Sequence, residues 1–385
     1  MSEPSPRAIA ERFRTMKPSA TVEASERIRQ ARAAGRRILG LSSGDPGLAT
    51  DPRIIAAAEA AMRDGQTHYS APAGESGLRA AIARREATRS GANYDPADIL
   101  VTPGGKFALV TALMGVVNPG DEVLVPEPGW VSYGAAVRLA GGTPVAVPML
   151  DLLDAAALES AITPMTCALI LNSPVNPTGR VLHESELAEA IAVAERHQLW
   201  IVFDQVYGDL AYNLPMAYPQ AIPGGFARTL VVDSLSKCFG MTGWRLGYLA
   251  LPMGLAAGVV KFLQHSIYCV PPFIQKAGEV ALALAHELVP RYREIFRRRL
   301  ARAAAALDAI PGISCAMPDA TFYLFPRVDA DDVALAQRWL ADGDVAVMPG
   351  STFGPSGQGH LRLSLACSDE ELEEALARIA RMGVA

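Results

Sequence analysis

The stretch SLSKCFGMTGWRLGY, residues 234 to 248, sets Lys237 and Arg245 eight residues apart, directly after a short apolar run. Lysine is scarce in this chain. Arginine supplies most of the positive charge, and the lysines are Lys17, Lys106, Lys237, Lys261 and Lys276. The difference is chemical, because a lysine amine can lose its proton and attack a carbonyl, whereas a guanidinium stays charged and suits planar anions. Ser234 and Ser236 add hydroxyls beside the lysine. Hydroxyls, a guanidinium and free backbone N–H groups can hold a phosphate, and a lysine in that place can condense with an aldehyde.

Other apolar runs end on polar groups of the same kind. ILVT (99–102) leads into PGGKFAL, where Gly105 and Lys106 open a helix whose first N–H groups and dipole favour an anion. A tight strand-to-helix connection is the plain alternative. The turn is not G-x-G-x-x-G, and no G-x-x-x-x-G-K-[ST] occurs, so dinucleotide and Walker-type readings lose their usual support. CALILN (167–172) runs into SPVNPTG, which displays Asn172 and Asn176, residues that also favour turns without any ligand. LWIVFD (199–204) closes on Asp204, with Tyr207 three residues on. A carboxylate there needs either a positive partner or a capping role. A phosphate site, an aldehyde-reactive lysine and an aspartate able to pair with a pyridinium nitrogen are together what pyridoxal 5'-phosphate requires.

The elements that must position these groups follow from periodicity. From about Pro52 to Pro252, the runs ILVT, EVLVP, TPVAV, CALILN, LWIVFD and TLVVD alternate with helix-like stretches. Consecutive apolar positions mark strands covered on both faces. The fold class expected is α/β, a mostly parallel sheet covered by helices, with ligands beyond the carboxyl ends of its strands. After Pro272 comes a long helical stretch, QKAGEVALALAHELVPRYREIFRRRLARAAAAL. A smaller α+β unit follows: strands at TFYLF, VAVMP and HLRLSL, a helix near 331–341, and an amphipathic helix from Asp369. The expected division is 46–290 for the large cofactor-binding domain and 1–45 with 291–385 for the small one, against which the N-terminal helix packs.

Composition narrows the function. A net charge of −5 over 385 residues gives no broad basic field, which argues against nucleic acid as partner. Some forty residues precede SSGDP without a basic helix-turn-helix pattern, which argues against a regulator built on a cofactor-binding domain. No run approaches the roughly 18 apolar residues of a membrane span. The segment MSEPSPRAIAERFRTMKPSA has no signal-peptide core, so a cytoplasmic location is expected. Cys167, Cys238, Cys269, Cys315 and Cys367 lack C-x-x-C spacing, which predicts free thiols and no metal site.

In order along nearly the whole chain, THYSAPAGESGLRAAIA, VTPGGKFAL, NPGDEVLVPEPGWVSY, LNSPVNPTG, FDQVY, SLSKCFGMTGWRLGY and HLRLSLACSDEELEEAL resemble the class I/II aminotransferases. These are pyridoxal-phosphate enzymes of fold type I, with a large and a small domain. The resemblance implies that Lys237 is the Schiff-base lysine, that Asp204 partners the pyridine nitrogen, and that Tyr207 and Asn176 reach the cofactor's phenolic oxygen. Trp130 matches the aromatic stacked on the ring. Gly105, Lys106, Ser234 and Arg245 match the phosphate cup, beside which Ser236 also falls. Arg362 matches the clamp on the substrate α-carboxylate, with Gly44, Trp130 and Asn176 as further substrate contacts. Tyr69 matches a tyrosine that serves the neighbouring subunit's phosphate, so a homodimer with shared sites is expected.

Amino acids and 2-oxo acids are the implied substrates, exchanged in a ping-pong transfer. Some positions depart from the family pattern. Gln205 stands where a glutamate is usual, Tyr268 with Pro271 and Pro272 where small hydroxyl residues are frequent, and Met114 near where dicarboxylate-preferring relatives place a cation. Without a second cation in view, the expected donor is a neutral aliphatic or aromatic amino acid. The alternatives are aspartate-specific transamination and another reaction of the same scaffold, such as β-elimination.

Overall fold

A computed structural model describes residues 9–10, 13–14, 16–212 and 214–384. Its early strands are β1 (Leu39–Gly40), β2 (Ile99–Thr102), β3 (Glu122–Glu127), β4 (Thr143–Pro148), β5 (Thr166–Asn172), β6 (Trp200–Asp204), β7 (Thr229–Ser234) and β8 (Gly247–Ala250). Strands β2 to β8 form one sheet in the order β2-β8-β7-β6-β5-β3-β4. Every neighbouring pair is parallel except those made by β8, which runs against both β2 and β7.

Side-chain alternation explains why both faces are covered. Val202, Leu230, Val232 and Leu249 pack with the helices Gly105–Val116 and Ala256–Ser266. On the opposite face, Ile201 and Phe203 meet the helix Glu184–Arg196, while Val231 and Tyr248 meet the helices Ser76–Ser90 and Pro272–Ala283. The expectation of strands buried on both faces fails only at β4, where a single residue, Val147, is buried, because β4 closes the sheet edge.

Apolar periodicity does not announce β8. It is four residues long, begins on glycine, and follows the chemistry-bearing turn at once. Gly247 is required there: a methyl group would come within 2.5 Å of the Gly104 carbonyl carbon and 2.7 Å of the Gly105 nitrogen. The strand and the glycine turn after β2 therefore pack backbone to backbone.

The later strands are β9 (Ile313–Ser314), β10 (Tyr323–Leu324), β11 (Arg327–Val328), β12 (Val345–Ala346), β13 (Met348–Pro349) and β14 (Leu361–Ser364). Strand β14 lies between β10 and β13, β12 pairs with β1, and β11 with β9. Trp339, Phe322, Leu363, Leu372 and Ile379 fill their core, joined by Leu39 and Leu41. The helix Asp332–Gly343 is capped by Asp331, and the last helix, Asp369–Met382, by a Ser368–Glu371 capping box.

Two elements carry detail that periodicity did not show. The long helical run breaks at Leu284 into Pro272–Ala283 and Ala285–Asp308, so a division at residue 290 falls inside a helix. That helix serves both cores: Leu288 and Tyr292 pack toward the large sheet, Phe296, Leu300 and Leu307 toward the later strands. The N-terminal helix Ala20–Ala33 buries no residue fully; Ala20, Ala24, Ile28 and Ala31 form an uncharged, half-buried stripe along it, and its Arg32 Nη2 donates to the Ile38 carbonyl at 2.8 Å. Among the described residues no helix is long and apolar enough to cross a membrane, no group could hold a metal, and all five cysteines are free.

Candidate active site

The carboxyl ends of β5, β6 and β7, the glycine turn after β2 and the loop after β1 enclose a cavity of about 310 Å³. Gly44, Gly105, Lys106, Trp130, Asn176, Asp204, Tyr207, Ser234, Ser236, Lys237, Arg245 and Arg362 all line it. They come from segments some three hundred residues apart, gathered because parallel strands present their ends on one side.

One end of the cavity is built for an anion. Gly104 caps the helix Gly105–Val116 with φ 83°, a left-handed conformation that glycine tolerates, and the first helical turn leaves N–H groups without intrahelical acceptors. A methyl on Gly104 would lie 2.7 Å from Arg245 Nη2, so the absent side chain lets the guanidinium approach the helix start. The backbone N–H of Ser236 donates to Ser234 Oγ at 3.4 Å. Arg245 adopts φ 55° and donates from Nη1 to the Thr242 carbonyl at 2.9 Å.

Asp204 is buried at the cavity floor. The Tyr133 hydroxyl donates to its Oδ2 at 2.9 Å, and the Val206 N–H to Oδ1 at 3.1 Å. Burial pushes its carboxyl up to about 6, against the pull of those two donors. Among the described residues no Lys or Arg forms an ion pair with it. A carboxylate so placed calls for a cation from a ligand.

Lys237 Nζ donates to the Gly44 carbonyl at 2.6 Å. Burial lowers its pKa to about 8; Arg245 and Arg362 act in the same direction, Asp45 and Asp204 against it. Arg362 is almost fully buried, donating from Nη1 to Asn176 Oδ1 at 3.0 Å and from Nη2 to the Ser42 carbonyl at 2.7 Å. Its guanidinium carbon lies 4.4 Å from the Tyr323 ring and 4.7 Å from the Phe353 ring. Desolvation lowers its pKa, and its Nε has no partner. A buried guanidinium without a carboxylate is complementary to one brought by a ligand. Lys106 Nζ sits 5.1 Å from the centre of the Trp130 ring, with its pKa lowered by burial and by Arg245.

Sequence reasoning missed several contributors. Tyr133 holds Asp204, and the Tyr323 hydroxyl lies 3.0 Å from that of Tyr207. Asp45, Thr242 and Thr21 line the mouth, where Thr242 Oγ1 donates to Asp45 Oδ2 at 2.6 Å. Tyr133 stands within GWVSY and Asp45 within SSGDP, so position inside a motif was the available signal. Tyr69 does not line the cavity: it is 85% exposed, with its ring 4.9 Å from that of Tyr268. Met114, Tyr268, Pro271 and Pro272 do not line this chain's cavity either.

The family model for class I and II aminotransferases matches residues 36–379. The chain belongs to this family. An aspartate/prephenate aminotransferase of Cereibacter sphaeroides is 38% identical, with 96% of this chain and 97% of that one covered. An aspartate aminotransferase of Musicola paradisiaca is 36% identical over 97% of this chain and 96% of its own. Among solved structures, the Thermus thermophilus aspartate aminotransferase with maleate superposes with a TM-score of 0.93 at 35% identity, covering 97% of this chain and 99% of that one. The aromatic aminotransferase of Pyrococcus horikoshii gives 0.87 at 35% identity, covering 92% and 98%. This chain is therefore an aminotransferase of fold type I, and its family depends on pyridoxal 5'-phosphate.

The residues present fit that cofactor. Its phosphate suits the donor-rich end, its aldehyde a lysine of depressed pKa, its ring nitrogen a buried carboxylate lacking a cation, and its flat ring the Trp130 indole. The state of the lysine can be checked directly. In the cofactor-free aminotransferase, pulsed acylation of Lys237 followed by peptide mass spectrometry should rise through a midpoint near pH 8, since only the neutral amine reacts. A midpoint above about 10, the value of an ordinary lysine, would contradict the desolvated site.

Proposed function

We propose that this aminotransferase works by ping-pong transfer between a dicarboxylic amino acid and a 2-oxo acid, with Lys237 as covalent anchor and proton carrier. When bound, the cofactor supplies an aldehyde carbon that accepts the amino group and a ring that takes up the electron pair released at the substrate Cα. The Lys237 amine, freed by the incoming amino acid, takes the proton from Cα. Burial, which lowers the pKa of Lys237 in this site, favours the neutral amine that such a transfer needs. Asp204 would pair with the protonated ring nitrogen, and the Tyr133 hydroxyl holds its carboxylate in place. Arg362 would grip the substrate α-carboxylate and so orient Cα, a positioning role.

The dicarboxylic preference rests on one observation: of the four cations that line the cavity, Lys237 and Arg245 serve the cofactor and Arg362 the α-carboxylate, which leaves Lys106, and among the described residues it has no carboxylate partner. The Lys106 N–H belongs to the helix start that would face a phosphate, while its ammonium, over Trp130, is free for a second carboxylate. The names of relatives as aspartate and aspartate/prephenate aminotransferases favour the same reading, as does maleate in the Thermus aspartate aminotransferase.

Tyr69 supports a homodimer. Held outward against Tyr268, its hydroxyl is free to serve a second copy's phosphate end. Sedimentation at assay concentration should give a dimer; a fully active, cofactor-loaded monomer would sink this part of the reading.

Borohydride reduction of the holoenzyme should fix the cofactor on Lys237, and Lys237→Ala should abolish transamination while the cofactor still binds without a covalent link. Label recovered on Lys106 or Lys261 would overturn the assignment. Single half-reactions test the donor. Aspartate should convert the bound cofactor with a higher specificity constant than alanine, valine, leucine or phenylalanine, and Lys106→Met should lower the aspartate value by about 30-fold or more while alanine changes little. If alanine or phenylalanine outruns aspartate, the neutral-donor reading replaces this one and the aminotransferase assignment stands.

A further inference from the structure

The most concentrated polar chemistry outside the cavity lies directly beneath it. Asp233 precedes Ser234 on β7, and the two-residue period of a strand turns its side chain to the face opposite the cavity. There it is buried with Glu86 and Gln205. The helix Ser76–Ser90 brings Arg89, and β8 brings Tyr248, which pairs with Asp233 in the ladder.

Both oxygens of the Asp233 carboxylate are committed. Arg89 Nη1 donates to Oδ2 at 2.7 Å, the Tyr248 hydroxyl lies 3.0 Å from the same atom, and Gln205 Nε2 is 3.3 Å from it. The other oxygen, Oδ1, accepts the backbone N–H of Ser234 at 2.6 Å. Glu86 ties the group together, with its Oε1 2.7 Å from the Tyr248 hydroxyl and 2.9 Å from Gln205 Nε2. Rotating Asp233 would strand a buried charge away from its guanidinium, so the carboxylate cannot turn. The Ser234 peptide is thereby pinned from behind, while its hydroxyl faces the cavity and accepts the Ser236 N–H.

We propose that Asp233, locked by Arg89 and Tyr248, is a positioning residue for phosphate recognition, fixing the Ser234 peptide and hydroxyl in the anion cup from the far side of the sheet. The inference rests on the reading of Ser234 as part of that cup. A hydroxyl held in place before the ligand arrives need not be ordered on binding, so the gain falls on the phosphate and not on the ring. None of these residues touches the cavity except Ser234.

The test separates the two parts of the ligand. Full-length protein freed of cofactor is titrated with pyridoxal 5'-phosphate and with pyridoxal, which lacks the phosphate, and the ratio of their dissociation constants reports phosphate recognition alone. Asp233→Ala should lower that ratio by at least about fivefold, with pyridoxal affinity within about twofold of the parent. Asp233→Asn, which sets an amide NH2 against either the Arg89 guanidinium or the Ser234 N–H, should lower the ratio as well. A merely structural role would weaken both ligands together and leave the ratio unchanged, which overturns the inference. Should Asp233→Ala fail to fold, Tyr248→Phe decides: it removes one hydroxyl, and a ratio lowered by about twofold or more supports the inference while an unchanged ratio overturns it. Ser234→Ala is the control for the cup. If it leaves the ratio unchanged, the cup reading falls and this inference with it; if it lowers the ratio while the Asp233 and Tyr248 variants do not, only this inference falls.

Discussion

The site depends on charges that are buried without partners and kept from finding each other. Among the described residues Asp204 forms no ion pair with a cation and Arg362 none with an anion, although both face one cavity. Left mobile, opposite charges in a poorly solvated space would collapse together, since each unpaired buried ion costs several kcal/mol. Neither can move. Asp204 is held by Tyr133 and the Val206 N–H, and Arg362 by Asn176, the Ser42 carbonyl and the Tyr323 and Phe353 rings. The sheet keeps the unsatisfied charge available for the ligand, and the packed cores on both of its faces carry the energetic burden.

That constraint accounts for features that look unrelated in the chain. Parallel strands put Asn172, Asp204 and Ser234 on one side because each closes its strand. The exception, β8, runs back between β2 and β7, and its Gly247 allows the glycine turn to settle on it. Glycine at 104 does the same for Arg245. The donor-rich end of the cavity is thus formed where three backbones approach more closely than side chains would allow.

Much of this was legible in the sequence, for physical reasons that also mark where legibility stops. Doubly covered strands must be apolar on consecutive residues, so β2, β5, β6 and β7 could be read off with their polar ends, and β3 and the edge strand β4 located, though not the exposure of β4. Strand β8, starting on glycine and four residues long, gave no comparable pattern. Gly105, Asn172, Asp204, Ser234 and Lys237 were found because they stand at or just after strand ends, and Gly44, Trp130 and Arg362 because the motifs around them resemble those of the family; Tyr133 and Tyr323 were missed because their role is to hold another side chain. Met114, read as standing near where dicarboxylate-preferring relatives place a cation, does not line this chain's cavity. It lies nine residues after Gly105 on the same helix, about 13 Å along the axis at 1.5 Å per residue, and is 42% exposed, whereas Lys106 stands in the first turn against the cavity.

Gln205 shows how a departure from the family pattern can be read as local necessity. Beneath the site, Glu86, Asp209 and Asp233 share two guanidiniums: Arg89 reaches all three acids, and Arg85 pairs with Asp209. Burial already raises the pKa of Glu86, so one more negative charge would have no cation to meet. The Gln205 amide instead donates to Glu86 and Asp233 and accepts from Gln220 Nε2 at 3.2 Å. A glutamate at this place would set an oxygen against Glu86 Oε1, where a donor now lies at 2.9 Å. The amide is the neutral shape that lets two buried carboxylates stand side by side, and it does so one residue after the aspartate that the chemistry requires.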